Sequence, residues 1–227
     1  MKIVLVYFVQ KNTPEKRKKH DVNKFNLWGW MKHYEKSGTS FEPCIFTDEF
    51  TNVPKWWKYE VVLVKDNEPP ERTDALHKVG WMRSQAYELV GKSLVMDLDA
   101  IILKNLDELL DVECEIAMAS DDTDKIWNLN WPEVGIKHNA GVMIHNSDRI
   151  LPRFRELWDE KKKDFLKVTY FEECIFSAIF HEFKGLALDQ KYNKVWKGSY
   201  ASEKIIHFCG MERKNELMKF LNESLIG

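Results

Sequence analysis

Between residues 93 and 103 the chain reads Ser-Leu-Val-Met-Asp-Leu-Asp-Ala-Ile-Ile-Leu, an apolar run broken only by Asp97 and Asp99. An extended strand presents residues two apart on one face, so the spacing predicts two carboxylates side by side. Burying an ionised carboxylate without a partner is costly. The pair therefore calls for a bound metal, basic neighbours or an exposed strand end, and a divalent metal is the expectation. Mg²⁺ and Mn²⁺ favour carboxylate oxygens and commonly share them with phosphates, which makes a phosphorylated substrate the natural companion. A chain of this length holds about one Asp-x-Asp by chance, and context must separate signal from background. A second example, Asp122-Thr123-Asp124, lies in the polar tract Ser120-Asp121-Asp122-Thr123-Asp124, which water can solvate without a metal. The apolar flanks of Asp97 and Asp99 single out the first pair.

The elements that must position this pair follow from periodicity. Residues 3–9 read as a buried strand and residues 22–36 as a helix stopped by Ser37-Gly38. Residues 41–47 and 59–64 read as strands, and residues 75–90 as a helix ended by Gly91. The carboxylate-bearing strand comes next, then strands at 115–119 and 141–145. Helices are expected at 147–163, with Ser147 as N-cap, and at 171–182. Such alternation predicts one α/β domain over residues 1–227, a Rossmann-like mixed sheet with helices on both faces. Its ligands should gather beyond the carboxyl ends of the strands. The basic cluster Lys16-Arg17-Lys18-Lys19-His20 is expected in a solvated loop, and Lys161-Lys162-Lys163 at a helix end where the dipole favours cations.

Composition narrows the partners. The 227 residues are 44% hydrophobic and 13% aromatic, enough for a sizeable core, and 34 basic side chains against 36 acidic ones give a net charge of −2. That balance argues for neither nucleic acid nor an anionic membrane surface. Cys44, Cys114, Cys174 and Cys209 are widely spaced with no Cys-x-x-Cys pair, which suits reduced thiols in a cytoplasmic protein. Neither a secretory signal nor an apolar stretch of membrane-spanning length is expected. No motif selects an oligomeric state.

Two enzyme superfamilies place paired carboxylates at such a strand end. The haloacid-dehalogenase-like phosphatases follow Asp-x-Asp with Gly-Thr near the amino terminus. Here Ala100 and Ile101 stand there instead, nearly a hundred residues in. The other group is the GT-A glycosyltransferases, and from Trp81 onward the chain resembles these, most of all family 8, the glycogenin and lipopolysaccharide galactosyltransferase group. Five segments match in order: Gly80-Trp81-Met82-Arg83 with Glu88; Leu94 through Leu103 followed by Asn105-Leu106-Asp107-Glu108-Leu109; Asn139-Ala140-Gly141-Val142-Met143-Ile144; Glu172-Glu173-Cys174-Ile175-Phe176; and Leu188-Asp189-Gln190-Lys191-Tyr192-Asn193 leading into Ile206-His207-Phe208-Cys209-Gly210. The amino-terminal third matches only in its strand–helix pattern and in Phe46-Thr47-Asp48.

The resemblance implies a transferase that moves a hexose from a nucleotide diphosphate sugar, UDP-linked, to a hydroxyl of a glycan or other acceptor with retention. It makes Asp97, Asp99 and His207 ligands of Mn²⁺ or Mg²⁺. It places Arg83, Asn139, Ala140, Gly141, Gly210 and Arg213 around the donor, with Lys214 a competitor for Arg213. Glu172 and Glu173 occupy the place of the family's Asp-Gln-Asp segment, and a carboxylate at 173, where the family often has Gln, could stabilise or attack the anomeric carbon. Trp127 and Trp131 are candidates for stacking on an acceptor sugar. Each residue also has a plain structural reading. His207 could be a satisfied core histidine, Asn139 a turn cap and Gly141 a bulge. Arg83 and Arg213 could be surface charges, Glu172 and Glu173 dipole-complementing acids, and the tryptophans loop anchors. A non-catalytic nucleotide-sugar or glycan-binding module and a metal-dependent phosphohydrolase are the competing functions, with a nucleotidyltransferase further off.

Overall fold

The computed structural model describes residues 1–7, 14–66, 75–120, 138–165, 171–209 and 213–226. Strands β1 (Lys2–Val6), β2 (Glu42–Thr47), β3 (Glu60–Leu63) and β4 (Ser93–Met96) are mutually parallel where they pair. With β6 (Ile116–Ser120), β7 (His138–His145) and β8 (Leu186–Leu188) they form a seven-stranded sheet in the order β3-β2-β1-β4-β7-β6-β8. β7 runs antiparallel to both β4 and β6, making the sheet mixed. A second sheet, β5-β10-β9, joins β5 (Ala100–Ile102), β10 (Ile205–His207) and β9 (Lys194–Val195).

The central strands are apolar throughout because both faces of the large sheet are covered. Alternate residues go to opposite sides: Ile3, Leu5, Leu94, Met96, Val142 and Ile144 enter one core, Val4, Val6, Val95 and Met143 the other. The first core also takes Leu27 and Trp30 of α1 (Pro14–Ser37), Leu217 and Phe220 of α6 (Lys214–Ile226), and the small sheet. The second takes Met82 of α2 (Ala75–Ser84), Ala86 of α3 (Ala86–Val90), Phe154 and Trp158 of α4 (Ile150–Phe165), and Phe176 of α5 (Phe171–Glu182). Among the described residues, no helix is long and apolar enough to cross a membrane.

Three expectations are corrected. The run 93–103 is two strands in two sheets: the chain leaves β4 at Met96, turns through Asp97-Leu98-Asp99 with Ala100 N–H donating to Asp97 O at 3.1 Å, and enters β5. A strand covered on both faces has no place for two carboxylates, whereas a turn at its carboxyl end exposes them to a ligand. The helix expected over 75–90 is divided at Gln85, with Gly91 ending α3 at φ 73°. The basic cluster at 16–20 lies within α1 and not in a loop, since Pro14 opens the helix and Lys and Arg propagate it well.

Two buried histidines tie stability to pH. Burial, reinforced by Arg83, lowers the pKa of His145 to about 3, and neither of its ring nitrogens has a hydrogen-bond partner among the described residues. Burial and Lys36 lower that of His33 to about 4. Both folded values lie below the ordinary 6.5, so below that pH the unfolded chain binds more protons. Stability is full above about pH 6.5 and falls on acidification, by up to about 1.4 kcal/mol per pH unit for a wholly buried histidine. Urea denaturation should show a lower unfolding free energy at pH 5 than at pH 7, and His145→Gln a shallower dependence.

Candidate metal and donor site

The site forms where the two sheets meet. Asp97 N–H donates to Gly141 O at 2.8 Å, extending the β4–β7 ladder into the turn, and Phe208 N–H donates to Asp99 O at 2.9 Å, tying the turn to the end of β10. His207 is the last residue of β10, paired with Ala100 of β5 and Val195 of β9. Its Nε2 stands 3.2 Å from Asp99 Oδ1 and 3.5 Å from Asp97 Oδ2. One ligand atom from each of Asp97, Asp99 and His207 lies within 4.8 Å of the others. Neighbouring ligands at right angles around an ion with bonds near 2.1 Å stand roughly 3 Å apart, so the three side chains fit a single dication. Two carboxylate oxygens and an imidazole nitrogen suit Mn²⁺ better than Mg²⁺.

The electrostatics point the same way. Arg83, wholly buried on α2, pairs through Nη2 with Asp97 Oδ1 and through Nη1 with Ala140 O at 3.5 Å. Burial lowers its pKa, opposed by the charges of Glu172, Asp99 and Glu173. One guanidinium thus faces four carboxylates. Asp99 is penalised by burial, yet His207, its own backbone and Arg83 hold its pKa below the ordinary carboxylate range. The arrangement presents carboxylate oxygens whose charge a divalent cation would complement.

A chain of side-chain amides leads from the candidate metal ligands to α5. His207 Nδ1 bonds Asn193 Oδ1 at 3.0 Å, Asn193 Nδ2 donates to Asn139 Oδ1 at 3.0 Å, and Asn139 Nδ2 donates to Glu173 Oε1 at 3.2 Å. Asn139 Oδ1 also accepts Gly141 N–H at 2.7 Å. Sequence reasoning did not single out Asn193. It lay inside a matching segment, but an amide whose work is to hold a histidine carries no charge or ligand signature of its own.

Residues 140–142 are where β7 parts from β6: Met118 pairs with Met143, yet Ala119 pairs with Asn139. Gly141 is required here by a protein group. A Cβ at 141 would lie 2.2 Å from His207 Cε1 and 2.7 Å from Asn139 Oδ1, so the absent side chain makes room for the imidazole. Ala140 and Asn139 are buried beside it. Glu172 is buried and Glu173 partly so, both in the first turn of α5. Arg213, just before α6, donates from Nη1 to Cys209 O at 3.0 Å. Gly210, Trp127, Trp131 and the second carboxylate pair, Asp122 and Asp124, lie outside the described residues.

No protein-family model matches this sequence, and no curated protein does. The fold, by contrast, is shared with solved glycosyltransferases. GlyE of Streptococcus pneumoniae TIGR4 superposes with a TM-score of 0.64 at 13% identity, over 97% of this chain and 60% of that one. Galactosyltransferase LgtC, in complex with donor and acceptor sugar analogs, gives 0.63 at 15% identity over 97% of this chain and 96% of that one. Mouse xyloside xylosyltransferase 1 gives 0.60 at 11% identity over 91% of this chain and 96% of that one. The chain therefore spans about three fifths of the GlyE structure and nearly all of LgtC. The architecture is the GT-A fold of these enzymes, the group to which the sequence motifs pointed.

Gly141→Ala should displace the His207 ring. The expected outcome is unchanged far-ultraviolet circular dichroism with Mn²⁺ affinity, measured by electron paramagnetic resonance of the free ion, reduced about tenfold or more.

Proposed function

We propose that this chain forms a metal-dependent hexosyltransferase domain. It transfers a sugar from a nucleotide diphosphate donor, UDP-linked, to a hydroxyl of a glycan or other acceptor, with retention of configuration. The observation that carries this reading is the convergence of Asp97, Asp99 and His207 at the carboxyl end of β4 in a GT-A fold. Retention and the UDP base rest on the family 8 resemblance of the sequence.

In this reading Asp97, Asp99 and His207 hold Mn²⁺ or Mg²⁺, which when bound supplies positive charge to the departing diphosphate. Arg83 fixes Asp97 by occupying Oδ1 and leaves Oδ2 directed to the ion. Arg213 lends a second cation to the diphosphate. Asn139, Ala140 and Gly141 contact the donor, and the resemblance alone assigns Gly210 to the donor and Trp127 and Trp131 to the acceptor. Glu173, oriented through Oε1 by Asn139, places its carboxylate toward the anomeric carbon to stabilise positive charge there, and Glu172 keeps Arg83 charged.

A thermal-shift panel of UDP-, GDP- and CDP-sugars with and without Mn²⁺ tests the proposal. A ligand at a hundredfold excess over its dissociation constant stabilises by about 2.7 kcal/mol. A UDP-hexose should therefore raise the melting temperature in a Mn²⁺-dependent manner, and Asp99→Asn should remove the dependence. No metal-dependent shift with any donor would count against the assignment, and phosphate release without acceptor would favour a phosphohydrolase. Glu173→Gln is expected to lower kcat on the order of tenfold with donor affinity retained, as for loss of a charge felt mainly in the transition state. Unchanged turnover would remove its catalytic role.

A further inference from the structure

We infer that Asn193 determines which nitrogen of His207 is offered to the metal, and that the backbone amide of Gly141 sets the direction of that choice. The inference rests on the metal-site reading above. Gly141 N–H can only donate, so the Asn139 side-chain atom 2.7 Å away is its oxygen. That places the Asn139 NH₂ on Glu173, an acceptor when ionised. The same Asn139 oxygen stands 3.0 Å from the Asn193 side chain, which must turn its own NH₂ there. Asn193 then has only its oxygen left for His207, and it lies 3.0 Å from Nδ1. An oxygen has no proton to give, so the proton of this bond sits on Nδ1. In the neutral ring that a metal ligand must be, the lone pair falls on Nε2, the atom that faces Asp97 and Asp99, so that an ion would replace the proton through which Nε2 otherwise reaches Asp99 Oδ1 at 3.2 Å.

Burial makes the relay strict. Asn139, Asn193 and His207 are 7%, 3% and 2% exposed, so water is poorly placed to substitute for a reversed amide. Asn193 is itself held from both sides. It follows a 3-10 turn, Gln190–Tyr192, whose start is capped by Asp189 accepting Lys191 N–H at 2.8 Å, and its own N–H donates to Gln190 O at 3.0 Å. The Tyr192 hydroxyl and the Lys204 ammonium both bind Glu108, and Lys204 N–H donates to Lys191 O at 2.8 Å. Beyond Asn193 the chain enters β9, which pairs with the strand carrying His207. The carbonyl of Asn193 is thus delivered to Nδ1 by elements locked to β10. Asn193 is a positioning residue, with no contact to the reacting atoms required of it.

Mn²⁺ titrations of the full chain, followed by electron paramagnetic resonance of the free ion, separate this role from a merely structural one. Asn193→Leu, which offers Nδ1 no acceptor, should weaken Mn²⁺ binding about 10- to 100-fold. Asn193→Asp loses the donor to Asn139 but keeps an acceptor toward Nδ1, and should stay within about threefold of the parent. In the Zn²⁺-loaded parent and Asp variant, long-range ¹⁵N–¹H spectra should show His207 Nδ1 protonated, and the Leu variant should lose this single form. Parent-like affinity in Asn193→Leu, or a tenfold loss in a folded Asn193→Asp, overturns the inference. The Asp variant decides alone if circular dichroism shows the Leu variant unfolded. A parent protein that takes up no Mn²⁺ overturns the metal-site reading instead.

Discussion

Two carboxylates and an imidazole converge where two sheets meet, and the surrounding structure is organised around keeping them there. Among the described residues, the buried Arg83 guanidinium pairs with Asp97 and feels the charges of Asp99, Glu172 and Glu173, and His207 and Arg83 both favour the ionised form of Asp99. Carboxylates gathered in a partly buried place are costly unless cations pair with them, and a divalent ion would add to what Arg83 and His207 supply.

The sheet topology supplies the necessary divergence. β4 belongs to the large sheet and β5 to the small one, so the chain must turn between them over Asp97-Leu98-Asp99. β10 returns from far along the sequence to pair with β5, and this registers His207 opposite Ala100, next to Asp99. β7 closes the other side. Its missing side chain at Gly141 admits the imidazole, and the irregularity over 140–142 lies beside Asn139, whose side chain bridges toward Asn193 and Glu173.

Much of this was legible in the sequence. Helix α5 coincides with the expected 171–182, and the central strands were visible because burial on both faces leaves uninterrupted apolar runs. The carboxylate pair stood out against those runs. His207 was reached only through family resemblance, since nothing local distinguishes a ligand histidine at a strand end from a core one. The break between β4 and β5 was hidden because Ala100-Ile101-Ile102 is as strand-like as what precedes it, and only three-dimensional pairing reveals the change of sheet. Asn193 was missed because hydrogen-bond polarity is a property of a network and is written in no single residue.

The central claim is that His207, Asp97 and Asp99 bind one divalent ion together. Pulsed electron paramagnetic resonance of the Mn²⁺-loaded protein tests it most directly, by the nuclear coupling of a directly bound imidazole nitrogen. The account predicts one Mn²⁺ per chain with a ¹⁴N coupling that disappears in His207→Ala. A stoichiometric Mn²⁺ whose nitrogen coupling survives that substitution, or an ion that shows none, would contradict it.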